Sequence, residues 1–157
     1  MTTLTEAATP LKLLALDADD LDVLSALVQD GITRPGEMRF LSEQNAFTLV
    51  VDRLAREQRP IRSGPLGLRK RWQRRRAMLD LRRVLRVERQ GLDQNATDEI
   101  LVLLSVTFEA ADGGPGGAVT LSFAGGATLR LHVEVVEARL TDLGPAWKSE
   151  ATPRHAA

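Results

Sequence analysis

The chain has 157 residues, enough for one domain with a substantial core and too few for two. Apolar residues make up 43% and charged residues 27% of it, with 21 basic and 21 acidic side chains, so the composition is globular and the net charge is zero. Cysteine and tyrosine are absent and only two histidines are present, which excludes disulfides, thiolate metal sites and cysteine nucleophiles and leaves little material for acid–base catalysis.

The first predicted elements are a short strand and a helix. Residues 11–16 (LKLLAL) form an apolar run of strand length. The acidic cluster 17–22 follows, and acidic side chains at a helix start accept hydrogen bonds from its first amide groups. Apolar residues then recur at helical spacing as far as Gly31, which predicts a helix that stops there. These apolar residues are Leu21, Leu24, Leu27 and Val28.

The middle of the chain combines a predicted hairpin with a predicted basic loop. Residues 38–41 and 47–54 have the alternation of two strands, and the polar turn 42–45 joins them. The following segment, 55–76, is rich in arginine and interrupted by prolines and glycines, which argues for a loop rather than one long helix.

The last third of the chain is predicted to be strands followed by a helix. Residues 77–92 fit either a helix or a strand, and their valines and Gly91 favour a strand with a bulge at Arg83. Clear alternation then predicts strands at 100–109, 119–123 and 129–135, with turns at 112–117 and 125–126. Beyond Val135 the spacing becomes helical, so we expect a C-terminal helix over 136–143.

These elements predict an α+β fold in one domain spanning residues 10–147, with disordered tails at 1–9 and 148–157. Short antiparallel connections favour a curled antiparallel sheet of about seven strands, with one helix near the N-terminus and one at the C-terminus. Such an arrangement resembles the half-barrel of pleckstrin-homology folds, an analogy of architecture that carries no function.

Several segments match a known family. They are LKLLALDADDL with LVQDGI, RVLRVERQGLD with the arginine-rich stretch before it, and GGAVTLSFAGGATLRLHVEVVEARLTDLGPAW. On these segments the chain resembles an uncharacterised alphaproteobacterial family, domain-of-unknown-function family 2948, over residues 11–147. The resemblance implies a small cytoplasmic bacterial protein with no assigned activity, and it supplies no catalytic or binding residues.

Positive charge is concentrated in one part of the chain. Residues 53–89 hold 14 basic and 3 acidic side chains, whereas the segments before and after them have balances of −6 and −5. Guanidinium groups pair with phosphate or carboxylate, and a tryptophan among them can stack on a base. The candidate anion-binding residues are Arg69, Lys70, Arg71, Trp72, Arg74, Arg75 and Arg76.

Three interpretations of this basic segment remain open. The loop could fold back and neutralise the protein's own carboxylates, with Trp72 as its anchor. It could bind RNA, DNA or another polyanion across residues 59–76. It could also bind an acidic protein partner.

The other candidate sites have simpler structural explanations. The acidic cluster 17–22 lacks the ligand, glycine and glutamate positions of an EF-hand loop, so helix capping accounts for it. The glycines at 113–117 and 125–126 are followed by no Lys-Ser/Thr pair and are typical of turns. His132 could pair with Glu134 two residues away, but alternating charges are typical of a solvated strand face.

We therefore expect no catalytic residue, metal or cofactor. The favoured function is a non-enzymatic interaction or accessory module, with a protein partner or self-association, and RNA or DNA binding through residues 59–76 is the alternative. An enzyme built on His132 and Glu134 is a third, weaker hypothesis.

The N-terminus has no signal-like leader, and the longest apolar run, Ile100–Leu104, is far shorter than the roughly 20 residues of a membrane span. We therefore expect a cytoplasmic location and no membrane.

Overall fold

The computed structural model describes residues 10–58, 60–93 and 95–144, together with the backbone of 147–148. The α helix, α1, is Ala18–Val28. The strands are β1 Lys12–Ala15, β2 Gly31–Thr33, β3 Met38–Leu41, β4 Ala46–Leu54, β5 Ile61–Ser63, β6 Arg69–Arg71, β7 Gln73–Leu81, β8 Val84–Gln90, β9 Leu101–Ala110, β10 Gly117–Phe123, β11 Thr128–Val133, β12 Ala138–Asp142 and β13 Trp147–Lys148.

Most of these strands form one antiparallel sheet, in the order β1-β12-β7-β4-β2-β9-β10-β11-β8. Two further strands join it, β3 alongside β4 and β13 alongside β7. Strands β5 and β6 are different, because they pair with each other as a separate two-stranded sheet. The chain leaves the main sheet at the end of β4, forms this hairpin and returns as β7.

The main sheet curls, so strands that are far apart in the strand order come close together in space. Strands β7 and β8 are joined by only Arg82 and Arg83, although they lie far apart in the sheet. At this corner the Arg82 amide donates to the Glu137 carbonyl (2.9 Å), and the Glu134 amide donates to the Arg83 carbonyl (3.0 Å). The curled antiparallel sheet expected from the sequence is therefore present, in an open form with more than seven strands.

Helix α1 packs against β9 and completes the core. The Asp17 side chain accepts from the Asp20 amide (2.8 Å) and caps the helix, as the acidic cluster predicts. Its buried residues Leu21, Leu24 and Val28 join the sheet's inward side chains in one cluster. The Ser25 hydroxyl accepts from the Val106 amide (2.8 Å), in the stretch of β9 that faces a register irregularity of β10.

The predicted C-terminal helix is wrong. Strand β12 occupies that position and lies between β1 and β7. Its inward side chains alternate as Ala138, Leu140 and Asp142. Because a buried carboxylate takes the third inward position, the apolar alternation of a strand is interrupted in the sequence. The terminal helix on which the pleckstrin-homology analogy depended is thus absent from residues 136–143.

The predicted basic loop, 55–76, is also wrong as a single loop. It contains β5 and β6, and its last four residues begin β7, a strand with neighbours on both sides. Residues 77–92 are mainly strand, as favoured, but they belong to two strands, the end of β7 and the whole of β8. The bulge expected at Arg83 is the corner between these strands, where Arg83 has a positive φ of 60°. Of the tails expected at 1–9 and 148–157, residues 1–9 and 149–157 lie outside the described residues. Lys148 belongs to β13, where it pairs with Gln73 of β7.

Candidate functional site

The structure divides the seven candidate anion-binding residues between two environments. Arg74, Arg75 and Arg76 belong to β7, whereas Arg69, Lys70 and Arg71 form β6 of the separate hairpin. Trp72 lies at the junction and is half-buried. The two groups have different electrostatic surroundings.

The outward-facing arginines of β7 are satisfied by the protein's own groups. Arg76 donates to Glu37 (2.9 Å) and to the Asp52 carboxylate (3.3 Å). Arg74 donates to the Asp52 carbonyl (2.9 Å). Burial raises the pKa of Asp52, although the charges of Arg76 and Arg74 oppose that rise. This part of the basic segment follows the self-neutralising interpretation.

Arg75 points inward and belongs to a buried ion cluster with Arg53 and Asp142. Alternation along β4, β7 and β12 places all three side chains on the inner face, and Arg53 lies directly opposite Arg75. Asp142 accepts two bonds from Arg53, at Nε and Nη2 (both 2.9 Å), and Arg75 Nε lies 3.8 Å from it. Since two opposed guanidinium groups repel, Asp142 provides the counter-charge that lets the two strands pair.

Glu57 completes the neutralisation at the rim of this cluster. Its carboxylate accepts from Arg53 Nη1 (3.0 Å) and Nη2 (2.7 Å), with 32% of its side chain exposed. Burial by itself would lower the pKa of Arg53, but the hydrogen bonds that Arg53 donates to Glu57 and Asp142 outweigh burial and raise it. Arg53 and Arg75 lie where β4 ends and β7 begins. The buried ion cluster therefore lies where the chain leaves the main sheet to form the hairpin, and it stabilises that point.

The hairpin itself, residues 61–71, is called the basic hairpin below. Its register places Arg62 opposite Lys70 and Ser63 opposite Arg69. Arg62, Arg69 and Lys70 are exposed, and no carboxylate of the described residues forms an ion pair with any of them. Arg71 is half-buried and donates to the Ser63 hydroxyl (3.3 Å). Arg62 and Lys70 thus carry like charges on opposite strands of this small sheet, and no described carboxylate forms an ion pair with either of them.

The apex of the basic hairpin exposes two leucines. Leu66 is 91% exposed and Leu68 is 76% exposed. The turn is held by the Gly67 amide, which donates to the Gly64 carbonyl (3.1 Å), and by Arg62, which donates to the Gly67 carbonyl (3.4 Å). Leu66 has a φ of 64°, a left-handed conformation that is unfavourable for a residue with a branched apolar side chain.

Sequence reasoning missed Arg62 and the two apex leucines as site residues. The only local signal is GPLGL between basic residues, and prolines and glycines in this pattern are equally typical of an ordinary loop. The buried ion cluster was missed as well, because nothing local marks which arginines of a basic segment point inward.

The structure pairs His132 with a different glutamate from the one that the sequence suggested. His132 Nε2 lies 2.7 Å from Glu88 Oε1 on the neighbouring strand β8, rather than pairing with Glu134. This hydrogen bond is the main cause that lowers the pKa of Glu88.

Over the described part of the chain, no group of three or more His, Asp or Glu side chains is placed to hold a metal ion. Nor does the described structure contain a helix long and apolar enough to cross a membrane.

The fold and these surfaces define a small α+β protein with a curled antiparallel sheet and a separate basic hairpin. The chain belongs to the family described as protein of unknown function, DUF2948, whose model matches residues 11–155. The resemblance to domain-of-unknown-function family 2948 is thereby confirmed, and the match extends beyond the expected residue 147. No curated protein and no solved structure gives a significant match to the chain.

Proposed function

We propose that this protein is a non-enzymatic interaction module that binds a polyanion through the basic hairpin. One observation carries the proposal: Arg62, Arg69 and Lys70 are exposed together without an acidic partner among the described residues, while the arginines of β7 are neutralised within the fold. The proposal includes a cytoplasmic location and, on the family resemblance, an alphaproteobacterial origin.

Electrostatics supports an anionic ligand at this place. Arg62 and Lys70 are direct cross-strand neighbours, and like charges in that position destabilise a two-stranded sheet. A bound anion would relieve this repulsion, and guanidinium groups offer it planar, bidentate hydrogen bonds. RNA and DNA are polyanions of this kind, so nucleic-acid binding is one narrower form of the proposal.

Binding to heparin, measured as elution from a heparin column in a salt gradient, tests the proposal without choosing a class of ligand. The hairpin variant R62Q/R69Q/K70Q should elute at clearly lower salt than the unaltered protein. The matched control is R39Q/R89Q/R139Q, which removes the same charge from three exposed arginines on different strands, none with an ion pair in the described structure. The control should elute near the unaltered protein. Equal shifts in both variants would show that net charge, and not the hairpin, governs binding.

Fluorescence anisotropy with labelled single-stranded RNA gives a second, quantitative measurement. For single strands, log Kobs changes with log salt by about −0.7 per phosphate neutralised, so removing three contacts should flatten the slope by about 2. An unchanged slope would reject the basic hairpin as the surface that contacts phosphates.

A further inference from the structure

The apex of the basic hairpin suggests which polyanion it meets. Resting on the function proposed above, we infer that the ligand is the surface of a lipid bilayer containing anionic lipids. The cations of the hairpin contact the phosphate groups, and Leu66 and Leu68 enter the apolar boundary beneath them. This is adsorption to a surface, which requires no membrane-spanning segment.

The position of the two leucines supports this mode of binding. Both lie outside the hydrophobic core, and neither is required to fill it. They occupy the apex, whereas the exposed cations Arg62, Arg69 and Lys70 lie on the two arms behind them. An element with apolar side chains at its tip and basic side chains around it matches the layering of an anionic bilayer, with charge outside and hydrocarbon inside.

The backbone of the apex supports it further. Gly64, Leu66 and Gly67 all have positive φ, at 80°, 64° and 65°. Glycine adopts this conformation at little cost, but Leu66 does not. A strained and almost fully exposed leucine contributes little to folding, so its side chain is better explained by a contact made outside the chain.

The leucines also favour a bilayer over a nucleic acid. Phosphate contacts along RNA or DNA involve the cations but leave Leu66 and Leu68 in water. To bury them, a nucleic-acid duplex would have to open a base step, and the cost of unstacking would reduce the gain. A bilayer buries apolar side chains without that cost. Strands β5 and β6 pair only with each other, and both apex leucines are already exposed, so a bilayer could reach them without disturbing the main sheet.

Vesicle flotation with the full-length protein tests the inference. Binding should be strong to vesicles of phosphatidylcholine mixed with phosphatidylglycerol and weak to vesicles of phosphatidylcholine alone. Each basic residue near an anionic surface adds about fivefold to affinity, so R62Q/R69Q/K70Q should bind roughly a hundredfold more weakly. L66S/L68S keeps the charge, and it should lose at least about tenfold on vesicles while its elution from heparin stays the same.

Two controls keep the outcomes distinct. L14S/L85S removes two exposed leucines from edge strands and should bind vesicles like the unaltered protein. Because the chain has no cysteine, L66C can be labelled at one position with an environment-sensitive fluorophore. Its emission should shift to the blue with phosphatidylglycerol vesicles and remain unchanged with heparin.

Each contrary result has a definite meaning. Heparin binding that depends on the hairpin cations, without vesicle binding, would overturn the lipid inference and leave the polyanion proposal in place. Tighter binding to RNA than to vesicles, weakened by L66S/L68S, would overturn it in favour of a nucleic-acid wedge. Hairpin variants that alter neither heparin nor vesicle binding would overturn both proposals.

Discussion

Replacing Asp142 by asparagine tests how far the buried ion cluster stabilises the fold. The Asp142 side chain is fully buried. Its oxygens accept two bonds from Arg53 at 2.9 Å and one from the Leu11 amide at 2.8 Å. Asparagine keeps the shape of the side chain but removes the charge and turns one acceptor into a donor. The D142N variant therefore leaves two buried guanidinium groups with one carboxylate fewer.

The structure sets the size of the expected loss. Removing one partner of a buried ion pair costs about 3–5 kcal/mol. Glu57 remains bonded to Arg53 and retains part of the counter-charge, so we expect the lower end, about 3 kcal/mol. For domains of this length Tm falls by roughly 2–4 °C per kcal/mol, which gives a decrease of about 6–12 °C.

Urea unfolding followed by circular dichroism, with calorimetry for Tm, measures this loss. The matched control is D30N, which makes the same chemical change in the exposed pair between Asp30 and Arg56 (2.7 Å). Solvent screens that pair, so D30N should cost less than about 1 kcal/mol. If D142N and D30N lost the same small amount, the idea that Asp142 holds two opposed arginines together would be refuted.

Three individual contacts have effects that can be measured separately. S25A should lose about 1–3 kcal/mol in urea unfolding, because the Val106 amide would be left without its acceptor; an unaltered midpoint would show that the amide finds another partner. At Glu57, burial would raise the carboxyl pKa, but the hydrogen bond with Arg53 outweighs it and the pKa is lowered from its usual 4.5. Its stabilisation is therefore present above that usual value and lost as the pH falls through the lower folded value, so E57Q should be less stable at neutral pH and match the unaltered protein in acid; a gap that persists in acid would contradict this sign. H132A should raise the pKa of Glu88 towards its usual value in a carboxyl NMR titration, and an unmoved pKa would show that His132 does not hold it.

Local patterns in the sequence were sufficient for the elements that depend on local chemistry. The hairpin predicted at 38–41 and 47–54 is confirmed as β3 and β4, and the acidic cap and apolar spacing of α1 are confirmed as well. In each case the residues that form the element also carry its signal, as an alternation, a cap or a turn. The strands and turns between residues 100 and 133 were predictable for the same reason.

Local sequence patterns could not predict which charged side chains are buried. Arg75 and Asp142 occupy inward strand positions that a sequence pattern reserves for apolar residues, so the sequence predicts a loop over the first four residues of β7 and a helix in place of β12. Their burial is possible only because Arg53 and Asp142, 89 residues apart, meet in the folded chain. An ion pair between distant residues leaves no periodic trace in either segment.

By itself the sequence determined the antiparallel sheet class, the capped helix, the family and the concentration of positive charge in one segment. Only the tertiary structure decided which of those charges are neutralised. Long-range pairing brings carboxylates to Arg53, Arg75 and Arg76, whereas the hairpin that carries Arg62 and Lys70 pairs only with itself. The difference arises because the net charge of a segment is fixed by its composition, but the distance from each charge to its counter-charge is fixed by the register of strands far apart in the chain.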